Sequence, residues 1–107
     1  MKPRTLEEVF AVISQRLESG SGASYVASLN EKGTDAILKK IGEEASEVLI
    51  AAKNENMQDC IHEIADLWFH SMVLMAHMGL SLADIEMEFG RRFGQSGLIE
   101  KANRPTQ

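Results

Sequence analysis

Hydrophobic residues recur every three or four positions in four stretches of the chain, with polar residues between them. This spacing is the period of an amphipathic α-helix, and no stretch alternates apolar and polar residues as a half-buried strand does. The pattern predicts helices over about residues 6–18, 34–53, 57–78 and 82–93. Short loops between amphipathic helices are typical of an all-α protein, so we predict a four-helix bundle-like fold. Residues 1–107 are interpreted as a single domain.

Local signals mark where the predicted helices begin and end. Thr5 and Glu8 have the spacing of a capping box ahead of the first helix. Asn56 is the predicted N-cap of the third helix, and Gly79 is its predicted end. The segment 24–32 is predicted to be irregular.

The third predicted helix has an unusual pattern because apolar side chains cover most of its circumference. At about 100° per residue, its polar side chains share a sector of roughly 100°. They are Asp59, His62, Glu63, Asp66, His70 and His77. Such a helix must be buried on most sides, and three other short helices offer little cover. We therefore predict an interlocked homo-oligomer, most simply a dimer, with Trp68 and the methionines in the core.

Composition and charge narrow the function classes. The chain has 107 residues, a formal charge of −5 and one cysteine. The acidic balance disfavours nucleic-acid binding, and the single Cys60 excludes a disulfide framework or a multi-cysteine zinc site. The apolar run 61–78 carries three histidines and two acids, so we expect no membrane span. These features favour a cytoplasmic protein.

Two pairs of acidic residues form the main candidate site. Glu44 and Glu47 lie three residues apart on the second helix, and Glu63 and Asp66 repeat this spacing on the third. If the two helices pack antiparallel, the pairs face each other. Carboxylates about 5 Å apart repel by roughly 3 kcal/mol at an effective dielectric near 20, so the cluster needs a counter-charge. Oxygen ligands favour a hard cation, Mg²⁺ with Mn²⁺ as a second choice.

A simpler interpretation of the first pair stays open. Two acids three residues apart on a helix are often a solvated face, and Lys39–Glu43 and Lys40–Glu44 have the spacing of surface ion pairs. The second pair fits this interpretation less well, because its helix has little solvated surface. Each histidine is interpreted as a hydrogen-bonded core residue or a neighbour of the site rather than as a ligand.

The arrangement of these acids resembles a known signature. Residues 44–47 and 63–66, separated by fifteen residues, look like the E-x-x-E…E-x-x-D signature of the all-α, MazG-like nucleotide pyrophosphohydrolases. Within that superfamily, Ser24-Tyr25, Lys32-Gly33, the run 39–48 and the run 63–70 are similar to the phosphoribosyl-ATP pyrophosphatases of histidine biosynthesis. His62 departs from the expected pattern, so no role is carried over to it.

The resemblance implies an activity and a set of roles. The expected reaction is hydrolysis of phosphoribosyl-ATP to phosphoribosyl-AMP and pyrophosphate, the second step of histidine biosynthesis, by the stand-alone form of the enzyme. The expected Mg²⁺ ligands are Glu44, Glu47, Glu63 and Asp66. The expected catalytic residues are Glu43, Glu44 and Glu47, with Glu43 either a further ligand or the residue that orients the attacking water. The expected substrate contacts are Lys40, Lys39 and Lys32.

Two other functions stay open at this point. A related house-cleaning enzyme would hydrolyse ordinary or damaged nucleoside triphosphates with the same metal chemistry. A helical interaction module would use the acids only for solvation, and it would show no specific binding of Mg²⁺ or Mn²⁺.

Overall fold

The computed structural model describes residues 2–20 and 24–94, and this part of the chain contains five α-helices and no β-strand. The helices are α1 Leu6–Glu18, α2 Tyr25–Lys32, α3 Thr34–Lys53, α4 Met57–Met78 and α5 Leu82–Phe93. The all-α prediction is confirmed, and all four predicted helices are present. Within the described ranges, each helix is too short or too polar to cross a bilayer.

The prediction of an irregular segment at 24–32 was wrong, because residues 25–32 form α2. The Ser24 hydroxyl accepts a hydrogen bond from the Ala27 N–H at 3.0 Å and caps the helix. Gly33, with φ of 98°, follows its last residue in a conformation that favours glycine. Val26 and Leu29 are buried in the core, so packing stabilises a helix too short to be stable alone.

The predicted boundary signals of the other helices are confirmed. The Thr5 hydroxyl accepts from the Glu8 N–H, and the Glu8 carboxylate accepts from the Thr5 N–H, which completes the capping box of α1. The Asn56 side chain caps α4 by accepting from the Asp59 N–H at 3.1 Å. Gly79 ends α4 with a left-handed φ of 80°.

Helices α3 and α4 form an antiparallel hairpin around which the fold is built. Residues 54–56 join one pair of helix ends. At the other pair of ends, Thr34 of α3 shares a hydrogen bond with His77 of α4. Helices α1 and α2 pack against this second end of the hairpin. The core lies there and consists of Ile13, Val26, Leu29, Ile37, Met72 and Val73.

The part of the hairpin near the 54–56 turn keeps many apolar side chains exposed. They include Leu49, Ile50, Met57, Ile61 and Ile64. Trp68 is also half-exposed, so its assignment to the core was wrong for the single chain, as it was for Met57, Met78 and Met87. None of the residues of α5 is buried, although it carries large apolar side chains. The single chain therefore leaves apolar surface on α4 and α5 uncovered.

Candidate active site

The antiparallel hairpin brings the two predicted acid pairs together. Glu44 and Glu47 come from the middle of α3, and Glu63 and Asp66 come from the middle of α4. Glu63 interacts electrostatically with each of the other three carboxylates. Beside them lies a cleft of about 230 Å³ between the two helices. Its lining is Glu47, Ile50, Ala51, Asn54, Asp59 and Glu63.

Glu44 is the most buried acid of the cluster, with only 8% of its surface exposed. Its carboxylate pairs with the Lys40 ammonium at 3.6 Å, and Lys40 also pairs with Glu43 at 3.5 Å. The predicted pair between Lys40 and Glu44 is therefore formed, whereas Glu43 pairs with Lys40 instead of Lys39. Lys40 is therefore a basic side chain that the fold joins to the acidic cluster.

The other two predicted substrate contacts lie differently. Lys32 is the last residue of α2, and Lys39 lies one position before Lys40 on α3. Both side chains are exposed, and neither makes an ion pair with another residue of the described ranges. Their assignment stays a prediction from the resemblance.

Glu63 is an acid of the cluster whose ionisation the fold disfavours. Its side chain is only 17% exposed, and burial raises the pKa of its carboxyl above the ordinary value. The neighbouring Glu44 raises this pKa further, His62 opposes the rise, and Glu47 and Asp66 add to it. A positive charge placed near Glu63 would therefore stabilise the ionised form of its carboxyl group.

His62, to which the resemblance carried over no role, lies beside the second acid pair. Its Nε2 atom lies 3.6 Å from a Glu63 carboxylate oxygen and 3.4 Å from an Asp66 carboxylate oxygen. One ligand atom from each of these three residues falls within 4.8 Å of the others. The histidine side chain is 71% exposed, so it covers the solvent side of the acids rather than their buried side.

A second histidine connects the acids to α2. The buried His70 donates from Nδ1 to the Asp66 carbonyl oxygen at 2.8 Å, and its Nε2 lies 2.8 Å from the Tyr25 hydroxyl. His77 similarly bonds Asn30 of α2 at 2.7 Å. The interpretation of these two histidines as hydrogen-bonded residues is confirmed. Tyr25 was missed as a neighbour of the site, although Ser24-Tyr25 was part of the resemblance, because the segment was not predicted to be helical.

Comparisons with known proteins identify a family to which this chain is similar. Residues 6–93 match the family described as Phosphoribosyl-ATP pyrophosphohydrolase. A Phosphoribosyl-ATP pyrophosphatase from Azoarcus sp. is 50% identical over 99 residues, which cover 92% of each chain. The protein of the same name from Methylococcus capsulatus is 52% identical over 99 residues, 92% of this chain and 94% of the relative. The one from Chromobacterium violaceum is 49% identical over 104 residues, 97% of this chain and 96% of the relative.

Proposed function

The chain belongs to the phosphoribosyl-ATP pyrophosphohydrolase family, and from this premise we propose that it hydrolyses phosphoribosyl-ATP. The products are phosphoribosyl-AMP and pyrophosphate, so the bond between the α- and β-phosphates is broken by water. This is the second step of histidine biosynthesis. The observation that carries the proposal is the convergence of Glu44, Glu47, Glu63 and Asp66 from two antiparallel helices beside an open cleft.

The residues present fit a hard divalent cation, which we propose to be Mg²⁺, with Mn²⁺ as a substitute. Glu44, Glu47, Glu63 and Asp66 offer only carboxylate oxygens, the donors that both ions prefer. The raised pKa of Glu63, caused by burial and then by Glu44, supports this fit because a bound cation would favour the ionised carboxylate. When bound, the cation supplies charge neutralisation for the triphosphate and acidifies a bound water.

The protein's own residues then position the substrate. Lys40 binds a phosphate oxygen, because its ammonium already lies at the edge of the acidic cluster. Glu43 holds Lys40 from the solvent side and is available to orient the attacking water. Lys39 and Lys32 are proposed as outer phosphate contacts. Catalysis of phosphoryl transfer depends mainly on such positioning and charge neutralisation, so no covalent intermediate is required.

The test is pyrophosphate release from phosphoribosyl-ATP, measured with Mg²⁺, with Mn²⁺ and in EDTA. Glu47→Gln and Asp66→Asn are expected to lower kcat by at least about 100-fold, because each removes a negative charge from the cluster at nearly constant shape. Glu18→Gln is the matched control, since Glu18 ends α1 and its exposed side chain makes no ion pair within the described ranges. Full activity in EDTA, or in both variants, would refute the proposed site.

A substrate panel separates this proposal from its alternatives. Ordinary and damaged nucleoside triphosphates hydrolysed faster than phosphoribosyl-ATP would indicate a house-cleaning enzyme. Calorimetry that detects no binding of Mg²⁺ or Mn²⁺ would indicate an interaction module. Rescue of a histidine-requiring strain by the wild-type chain, and not by Glu47→Gln, is expected if the proposal is correct.

The proposed location is the cytoplasm.

We also propose that the working unit is a homodimer. Exposed apolar side chains of α4 and α5 support it, because a monomer in water would leave Trp68, Ile61 and Phe89 uncovered. A groove of about 310 Å³ runs between α1, α4 and α5. Its apolar lining includes Leu6, Trp68, Met72, Met75, Leu82, Ile85 and Phe89. Size-exclusion chromatography with light scattering is expected to give twice the mass of one chain, and a stable monomer at micromolar concentration would contradict this proposal.

A further inference from the structure

His62 lies on the same face of α4 as Asp66, one turn before it. Its Nε2 atom is 3.4 Å from an Asp66 carboxylate oxygen and 3.6 Å from a Glu63 carboxylate oxygen. One donor atom from each of these three residues lies within 4.8 Å of the other two. Two side chains four residues apart on a helix can bind one metal ion, as the histidines of helical zinc sites do. His62 and Asp66 have this spacing.

The Nε2 atom of His62 is close to the two carboxylates without being bound tightly to either. A well-formed N–H···O hydrogen bond has its heavy atoms about 2.7–3.2 Å apart, which is shorter than both contacts of His62. Ligands that lie about 2.1 Å from one ion are about 3 Å from each other in an octahedral site and about 3.4 Å in a tetrahedral one. The separations around His62 are therefore compatible with a shared cation after only a small movement.

The exposure of the three side chains also suits this arrangement. Glu63 is the most buried of them, Asp66 is partly exposed, and His62 is largely exposed. The imidazole ring therefore lies on the solvent side of the acids, where a cation held by the carboxylates would otherwise keep water as a ligand. Because little of the ring is packed, it can turn toward such an ion without loss of core contacts.

An imidazole among carboxylates changes which cation the site prefers. Carboxylate oxygens suit Mg²⁺ and Mn²⁺ alike, so Glu44, Glu47, Glu63 and Asp66 discriminate poorly between the two ions. Mg²⁺ gives up its waters reluctantly and favours oxygen, whereas transition-metal ions accept an imidazole nitrogen more readily. A histidine that reaches the ion is therefore expected to increase the affinity for Mn²⁺ more than the affinity for Mg²⁺.

We propose that His62 binds the cation of the carboxylate cluster through Nε2 and makes this site prefer Mn²⁺ to Mg²⁺. The inference rests on the proposed function for the presence of a cation among the four acids. Each histidine was interpreted from the sequence as a non-ligand, because no two histidines are four residues apart. In the structure, the partner of His62 at that spacing is a carboxylate, Asp66.

Pulsed electron paramagnetic resonance of the Mn²⁺-loaded chain tests the ligand directly. A coordinated imidazole nitrogen couples to the electron spin of Mn²⁺ and modulates the echo signal. We expect this nitrogen coupling in the wild-type chain and its loss in His62→Gln. His70 and His77 are present in both proteins and serve as the internal control. A coupling that persists in His62→Gln, or one that is absent from the wild-type chain, would overturn the proposal.

Calorimetry with each metal ion alone tests the preference, at about pH 8 so that a neutral imidazole is available. His62→Gln and His62→Ala are expected to weaken Mn²⁺ binding about 10-fold and Mg²⁺ binding less than about 3-fold. Both variants should fold normally, because the side chain is largely exposed. Gln58→Ala is the control, since Gln58 is exposed one turn earlier on α4 and should change neither affinity. Equal losses for the two ions, or an unchanged affinity for Mn²⁺, would overturn the proposal.

These two measurements contain no nucleotide, so they are separate from the proposed reaction. Nitrogen coupling with a selective loss of Mn²⁺ affinity supports the role of His62 even if phosphoribosyl-ATP is not hydrolysed. Hydrolysis that requires Mg²⁺ or Mn²⁺, without nitrogen coupling, would leave the proposed function intact and refute the role of His62. In turnover, the half-saturating concentration of Mn²⁺ should rise about 10-fold in His62→Gln, and that of Mg²⁺ less than about 3-fold. Equal rises for both ions would contradict the preference.

Discussion

The two ends of the α3–α4 hairpin have similar apolar patterns but very different surroundings. At one end, Ile37 and Val73 are completely buried under α1 and α2. At the other end, near the 54–56 turn, Leu49 is 71% exposed and Ile61 is 62% exposed. Hydrophobic periodicity therefore predicts that a face will be buried, but it does not distinguish cover by the same chain from cover by another one.

The carboxylate cluster lies between these two ends. Glu44 is buried on the side of the core, whereas Glu47, one turn nearer to the 54–56 turn, is exposed. Glu63 and Asp66 lie across from them on α4 with intermediate exposure. The buried end thus gives the site a rigid base, and the uncovered end leaves it open to a large anionic substrate.

The largest expected difference between the two ends is in how much a truncated side chain lowers the free energy of unfolding. Ile37→Ala removes a fully buried side chain, and it is expected to lower the free energy of unfolding by about 2–5 kcal/mol. Leu49→Ala, the matched truncation at the open end, is expected to cost less than about 1 kcal/mol at concentrations where the chain is monomeric. Urea denaturation followed by circular dichroism measures both. Equal losses in dilute solution would show that the open end is covered within one chain.

A second prediction tests what covers the open surface. Trp68→Ala is expected to weaken the homodimer by about 2 kcal/mol, roughly 30-fold in its dissociation constant, because a half-exposed tryptophan in an apolar groove is a typical centre of an interface. Leu38→Ala truncates a side chain of similar exposure outside this groove and serves as the control. Sedimentation over a concentration series measures the constants. An unchanged constant for Trp68→Ala would exclude α4 from the interface.

The same contrast explains how much could be predicted from the sequence. The four longer helices follow from periodicity and from caps such as Thr5 and Asn56, which act locally. The convergence of the acid pairs followed from one further assumption, the antiparallel hairpin. Helix α2 could not be found from periodicity, because eight residues give too few turns. The Ser24 cap and Gly33 were the available signals for it.

Because α2 was not predicted, the partners of two histidines near the site could not be predicted either. The polar side chains of α4 share one sector of the helix, but in the structure they have different partners. Tyr25 and Asn30 of α2 bond His70 and His77, so these histidines complete the packing of a helix that the pattern did not predict. His62 instead contacts Glu63 and Asp66 on its own helix. The role of each polar side chain on α4 therefore depends on neighbours from other helices, which only the folded chain brings close.

A third prediction concerns Glu63, which lies in the carboxylate cluster between the two ends of the hairpin. The folded chain raises the pKa of Glu63, first by burial and then through Glu44, so the folded state resists its ionisation. The resulting destabilisation is absent below the unfolded pKa of about 4.3 and is complete above the folded pKa. Glu63→Gln is therefore expected to raise Tm by a few degrees at pH 7 in EDTA and to leave it unchanged near pH 4. Glu18→Gln should change neither value, and a lower Tm for Glu63→Gln would contradict the argument.

The smallest effect is expected on α5, which belongs with the uncovered region. Arg91 and then Arg92 hold the pKa of Glu88 at about 2 through hydrogen bonds of their guanidinium groups. Because the folded pKa lies below the unfolded value of about 4.3, this stabilisation is present above that value and is lost as pH falls toward 2. The Glu88 side chain is 41% exposed, so solvent and salt screen the pair. Glu88→Gln should lower Tm only slightly at pH 7 in low salt, and the difference should disappear in about 1 M salt. A large loss that persists in salt would show that α5 is anchored by these charges, whereas we expect its apolar face to anchor it to a second chain.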